Sequence, residues 1–200
     1  MQLSEMVDKV ITRTKRPDKR TEVVDAINNA ISFASLGASF MQDLLEGTVN
    51  ITATEYAQSL SISVNFPRFR RIKYLKRTGA TKFLKQADPL KIFDACGVEQ
   101  LERWYRAGNN IVFKLQTLSP TLEYGFFQYP ELLEDDADTH WMLDIIPMYV
   151  FNKACAEIFQ SIGDADNDMR TCEARAITLL DVAKQDFEDG GTAVSAQVYR

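Results

Sequence analysis

The chain has 200 residues, 46% of them apolar, enough for one ordinary domain with a sizeable core or for two small subdomains sharing one, and too many for a disordered protein. Its net charge of −5 hides a division, with 15 Lys and Arg against 9 Asp and Glu in residues 1–92 but 8 against 19 in residues 93–200. No apolar run is long enough to span a bilayer, Met1-Gln2-Leu3-Ser4-Glu5 lacks the basic start and apolar middle of a signal peptide, and Cys96, Cys155 and Cys172 stand at no metal-ligand spacing; the expectation is a soluble protein kept in a cytoplasm, with small buried thiols.

The charge division suits copies stacked side by side, basic part to acidic part, and equally suits two separately solvated surfaces. Along the chain, Ser4 is a candidate N-cap for a short helix carrying Met6, Val7, Val10 and Ile11 at helical spacing. Arg16 before Pro17 is pushed towards an extended conformation, and Asp18 can cap a second helix from Lys19. Val23, Val24, Ile27, Ala30, Ile31 and Ala34 form its buried stripe, and Gly37 ends or bends it. Leu45, Gly47, Val49 and Ile51 then fall on one face of an edge strand. Leu60, Ile62 and Val64 alternate with Ser59, Ser61 and Ser63, the pattern of a strand with one wet face.

Asn65 to Arg77 is the most basic window, six cations interleaved with aromatic and branched apolar side chains. As a strand it puts Arg71, Lys73 and Leu75 on one face and Arg70, Ile72 and Tyr74 on the other. Asp88-Pro89 opens a short helix over 89–96. Trp104 to Leu115 reads as a hairpin around Gly108-Asn109-Asn110, and after Ser119-Pro120 a third arm through Leu122, Tyr124, Phe126 and Gln128 is expected beside the second, a three-stranded meander. Trp104, Phe113, Tyr124 and Phe126 are read as core. An acidic loop, Glu131 to Asp138, precedes a short turn over 139–143 and a long helix from Pro147 with Val150, Phe151, Ala154, Cys155, Ile158, Phe159 and Ile162 on its apolar stripe. Gly163 closes it, and a partner helix begins at Asp164, Asp166 or Asp168 and stops at Gly190-Gly191. So short a link forces antiparallel packing, with Cys155 and Cys172 at comparable heights.

The fold class is therefore α+β: N-terminal and C-terminal helical hairpins packed together as a helical bundle, with a central, mostly antiparallel β-sheet subdomain. The helical part is expected at 1–43 and 139–189, the β-rich insert at 44–138 and an extended tail at 190–200.

Familiar chemistry is scarce. The one histidine, His140, excludes a histidine-rich metal site and would have to serve any Ser-His-Asp triad, yet no nucleophile-elbow glycine pattern accompanies a serine. Asp164 to Asp168 imitates half of a calcium loop, but Met169 and Arg175 stand where glycine and the closing glutamate are needed, so helix capping is the simpler role. No phosphate-binding glycine loop occurs. Neither a cofactor nor a metal is expected. A carboxylate-based enzyme would rest on Asp135 to His140, and a small nucleic-acid-binding regulator on the basic-aromatic window, phosphates attracting such clusters without any sequence-reading motif.

Several short stretches point elsewhere: Arg16-Pro17-Asp18, Phe40-Met41-Gln42-Asp43-Leu44, Pro67-Arg68-Phe69-Arg70-Arg71-Ile72, Ile92-Phe93-Asp94, Trp104-Tyr105-Arg106-Ala107-Gly108-Asn109, Gln128-Tyr129-Pro130 and Ala154-Cys155-Ala156-Glu157-Ile158-Phe159 with Ile162-Gly163-Asp164. In that order the chain resembles the head-to-tail adaptor (connector) proteins of tailed bacteriophages, tail tubular protein A type. The resemblance implies a non-enzymatic virion protein in which residues 1–200 form a single adaptor domain. It also implies a homo-oligomeric ring, usually of twelve copies, beneath the portal vertex, joining the DNA-filled capsid to the tail at the virion neck after assembly in the host cytoplasm. The partners it implies are the portal protein and a tail or nozzle protein, with non-specific contact to exiting DNA and no membrane. On this reading Thr192, Val194, Val198, Tyr199 and Arg200 are portal contacts, the free tail gaining order on a partner surface. Arg68, Arg70, Arg71 and Lys73 contact either DNA in the lumen or a neighbouring subunit.

Overall fold

A computed structural model describes residues 1–52, 57–88, 101–115, 120–163 and 166–188. They divide into two compact units, a helical one from Met1–Gln42 together with the segment that starts at Pro130, and a sheet unit over Asp43–Tyr129. The fold is α+β, with helices on both sides of a central, mostly antiparallel sheet region in the chain.

In the helical unit, α1 (Leu3–Thr14) starts after Gln2, whose backbone N–H donates to the Glu5 carboxylate at 3.3 Å. Ser4, expected as the cap, lies inside the first turn, because the chain reaches helical geometry two residues sooner. Asp18 does not cap the next helix either. Arg16 takes its carboxylate in a two-pronged pair at 2.9 and 2.7 Å, a 3₁₀ turn occupies Pro17–Lys19, and α2 begins at Arg20 and runs to Gly37. After the sheet unit, which holds the single turn α3 (Ile62–Asn65), come α4 (Trp141–Ile145), α5 (Pro147–Ser161) and α6 (Asp166–Glu188). Pro147 stands at the first position of α5, where its missing N–H costs nothing.

Leu3, Met6, Val7 and Val10 from α1, Val23, Ile27, Ala30 and Ile31 from α2, and Val150, Ala154, Ile158 and Ala176 from α5 and α6 close one apolar core. Tyr149 enters it almost completely buried and donates its hydroxyl to the Ala30 carbonyl at 2.9 Å, which satisfies both groups. The α5/α6 pair is antiparallel with Lys153 on Glu173 at 2.8 Å, so Cys155 and Cys172 face one another in the core. Burial pushes the Cys155 thiol up to about 12 and raises that of Cys172 as well. The acidic segment belongs to this unit. Leu133 is buried in the helical core, its backbone N–H and C=O both bonded to the Asn28 side chain at 2.9 and 3.0 Å.

The sheet unit contains β1 (Leu44–Asn50), β2 (Ala57–Ser61), the turn α3 (Ile62–Asn65), β3 (Phe69–Arg77), β4 (Lys85–Gln86), β5 (Arg103–Ala107), β6 (Asn110–Lys114) and β7 (Thr121–Gln128). They form two sheets, β1-β7-β3 and β2-β6-β5-β4, antiparallel except for the two-residue β4–β5 pair. The β5–β6 hairpin is the expected one, Ala107 facing Asn110 across Gly108-Asn109, with Gly108 at φ 58 as the left-handed turn requires.

Two expectations are corrected. β7 does not return beside β6 to complete a meander; it is the middle strand of the other sheet, between β1 and β3, because it carries a large apolar side chain on both faces at Phe126 and Phe127. The strand expected through Val64 stops at Ser61, where Asn65 donates to the Ser61 carbonyl at 2.9 Å and winds a helical turn that leaves Val64 exposed. The two sheets share one core of Leu60, Ile111 and Phe113 with Leu75, Leu122 and Phe126, sealed by Phe66 edge-on to Phe126 at 5.2 Å. The expected helix over 89–96 and tail over 190–200 lie outside the described residues.

Candidate functional site

The register of β1, β7 and β3 sorts their side chains into two faces. Val49, Leu122, Tyr124, Phe126, Leu75 and Ile72 face the core, while Glu46, Glu123, Phe127, Arg71, Tyr74 and Lys76 share the opposite face. That outer face is cross-linked. Tyr74 passes over Gly125 of the middle strand to donate to Glu46 on the far strand at 2.8 Å, and a Cβ at position 125 would lie 2.5 Å from the tyrosine ring. Burial and this bond push the phenol up to about 12. Beside it Lys76 pairs with Glu123 at 3.1 Å.

The basic window supplies the rest. β3 is irregular between Phe69 and Arg71 and again between Ile72 and Tyr74, so simple alternation fails and the expected split of the cations between two faces does not occur. Arg70, Arg71 and Lys73 instead converge on one ring. Their charged groups lie 5.8, 5.1 and 5.9 Å from the centroid of Phe127, itself directly opposite Arg71 on β7. A cation over an aromatic face gains about 0.5–1 kcal/mol when exposed. The ring thus gives the three like charges a common neighbour on β7. Arg70 is half-buried, and desolvation with the adjacent Arg71 charge lowers its pKa, while buried Asp43 acts against that shift.

Arg68 sits at the lip of this group in a left-handed conformation, φ 50. Its carbonyl accepts from the Tyr129 N–H at 2.7 Å and its guanidinium donates to Gln128 at 3.2 Å. All four cations named from the sequence therefore gather at one end of one sheet, where β3 and β7 begin and end. Their arrangement suits an extended anion, since forked guanidinium donors match phosphate or carboxylate oxygens on an open face. The portal-contact candidates Thr192, Val194, Val198, Tyr199 and Arg200 lie outside the described residues.

The alternative carboxylate site has a structural account. Asp138 accepts the backbone N–H groups of Glu134 and Asp135 at 2.8 and 2.9 Å, which holds its pKa below the ordinary carboxylate value, and Asp136 pairs with Arg20 at 2.6 Å. His140 caps α4, its Nδ1 accepting from the Met142 N–H at 3.2 Å. Among the described residues no cluster of three His, Cys, Asp or Glu side chains is placed to hold a metal ion, and no helix is long and apolar enough to cross a membrane.

The helical unit adds surface features that the periodicity reading passed over. Phe33 and Leu36 of α2 are 56% and 64% exposed, and a groove of about 980 Å³ lies between α1 and the start of α5. The sequence signal for the first was present: both residues fall off the buried stripe of α2.

The model of the family described as SU10 adaptor protein matches residues 1–197. No curated protein matches the chain.

Proposed function

This chain belongs to the SU10 adaptor protein family, a family of phage structural proteins, and on that premise we propose that it works as a ring beneath the portal vertex of a tailed bacteriophage. The ring, of about twelve copies in the kindred tail tubular protein A type that the sequence resembles, joins the filled capsid to the tail at the virion neck. Copies assemble in the host cytoplasm, and the work is binding rather than catalysis. Carrying this reading is the family match over 197 of the 200 residues, to which the α+β architecture adds support.

Within it, the convergence of Arg70, Arg71 and Lys73 on Phe127, with Arg68 alongside, is the contact for DNA leaving the capsid. An open sheet face with forked cations grips a phosphate backbone of any sequence and leaves the bases unread. Residues 192–200 form the portal contact. The test is the mass of the purified protein alone and after mixing with a portal ring from the same virus. Stoichiometric rings on the portal are expected, and their loss on deleting residues 191–200 assigns the tail its role. A chain that ignores the portal yet binds duplex DNA, with an affinity falling steeply as salt rises, overturns the adaptor reading in favour of a nucleic-acid-binding regulator.

A further inference from the structure

The helical unit carries an apolar ridge and an apolar groove on different sides, and among the described residues both remain exposed. Phe33 and Leu36 stand out from the C-terminal half of α2, one turn apart. Lys153 of α5 lies 5.1 Å over the Phe33 ring and is held there by Glu173 of α6. The groove is floored by Met6 of α1 with Leu143, Pro147, Met148 and Phe151. Met148 is 43% exposed at its floor. On α5, at about 100° per residue, Lys153 points about 140° away from Met148 and about 160° from Phe151. A ridge so placed faces away from its own groove.

We propose that the ridge of one copy, Phe33 and Leu36, seats in the methionine-floored groove of the next, a head-to-tail contact between copies of this chain. The proposal rests on the ring reading above and adds the surfaces that build it. Two different surfaces in contact make a heterologous interface, which propagates and closes into a ring when the rotation allows. Charge favours the match. Lys9, Arg13 and Lys15 line the groove; its carboxylates are engaged within their own chain, Asp8 with Arg20 and Asp144 with the N-terminal amine, and so is Arg13, with Asp168 at 3.2 Å, so the cationic excess of the lining rests on Lys9 and Lys15. At the ridge Glu173 is offset by Lys153, so the acidic flank is Glu157, along α2 and α5, which accepts from Asn29 at 3.3 Å. Unbranched methionines adapt their shape to an incoming aromatic side chain.

The experiment uses the full chain and two variants at exposed positions, Phe33→Glu and Met148→Glu, whose unchanged far-ultraviolet circular dichroism verifies the fold. Each is brought to high concentration, alone and with the portal ring of the same virus, and the masses are read after glutaraldehyde fixation. The native chain gives a ladder of oligomers. Each variant alone stays monomeric off the portal, and their equimolar mixture gives dimers and no larger species, because one copy still offers a ridge and the other a groove. Two variants that both block assembly and do not recover a dimer on mixing overturn the head-to-tail pairing. So does a block by Met148→Glu alone, which gives the groove another occupant. Variants that assemble as the native chain does place the subunit contact elsewhere and leave the ring reading standing. A native chain that stays monomeric with and without the portal ends both.

Discussion

In the helical unit Thr14 and Asn152, polar side chains that enter the core, are satisfied within their own helix, by the Val10 carbonyl at 2.8 Å and the Met148 carbonyl at 2.7 Å, and Tyr149 reaches only from α5 to the adjacent α2. In the sheet unit polar groups reach across strands, Tyr74 over Gly125 to Glu46 and the three cations of β3 to Phe127 of β7. A helix repeats its contacts every turn and tolerates the loss of one, whereas each contact on the sheet face depends on a particular register. The helical unit is therefore the natural frame for subunit packing, and the sheet face the natural place for a charge pattern that has to keep its geometry.

The largest expected effect is on the sheet core. Phe126 is fully buried and packs against Phe66, Phe69 and Tyr124 with centroids 5.2 to 6.0 Å apart. Phe126→Ala should cost about 3–5 kcal/mol by lost burial and cavity formation. In hydrogen exchange the strands should open before α5. Equal loss of protection in both units would break the contrast between them.

A smaller and more local effect is expected from Gly125→Val. The new side chain meets the Tyr74 ring, and overpacking of this kind costs about 1–3 kcal/mol. Displacement of Tyr74 also frees its hydroxyl from Glu46, so one tyrosine that titrates near 12 in the native chain should move down towards the ordinary value of 10.0 in ultraviolet difference titration. An unchanged titration would mean that the bridge survives and that the sheet face is more compliant than its register implies. In the helical unit Tyr149→Phe removes a hydroxyl hydrogen bond to an Ala30 carbonyl that keeps its helical N–H donor in α2, at about 0.5–1.5 kcal/mol, read as a lower denaturant midpoint at constant slope.

The same contrast governs what could be read from the sequence. The stripes of α2, α5 and α6 were legible because a period near 3.6 names the buried face and the neighbour together when the link is short. Strands were legible as strands, but alternation through Leu122, Tyr124 and Phe126 says only that one face is buried, never which strand lies alongside. Phe127 next to Phe126 was the available sign of a middle strand carrying large apolar side chains on both faces. The four cations were identifiable by composition, yet their convergence depends on two irregularities in β3 that no periodic pattern contains. Asn65 turned a serine-alternating strand into a helical turn through one side-chain bond to Ser61. The ridge residues Phe33 and Leu36 went unassigned because a stripe analysis accounts for what is buried and passes over the apolar residues left outside.

The smallest expected effect is an acid-side one, confined to the helical unit. Arg16 grips Asp18 with two donors, and that hydrogen-bonded pair lowers the Asp18 carboxyl from 3.8 to about 2. A carboxylate depressed in the folded state binds its proton more readily when unfolded, so its contribution is present above pH 3.8 and is lost as the pH falls towards 2. Asp138, lowered by the N–H groups of Glu134 and Asp135, acts in the same direction. Both groups are solvated, so the change is modest and screened by salt. Asp18→Asn should flatten the acid limb of the stability curve between pH 4 and 2 and leave stability near pH 7 only slightly lowered. With Asp138→Asn added, the limb should flatten further. A limb of unchanged steepness in the double variant would mean that neither the Arg16–Asp18 pair nor the Asp138 turn carries the acid sensitivity of the helical unit.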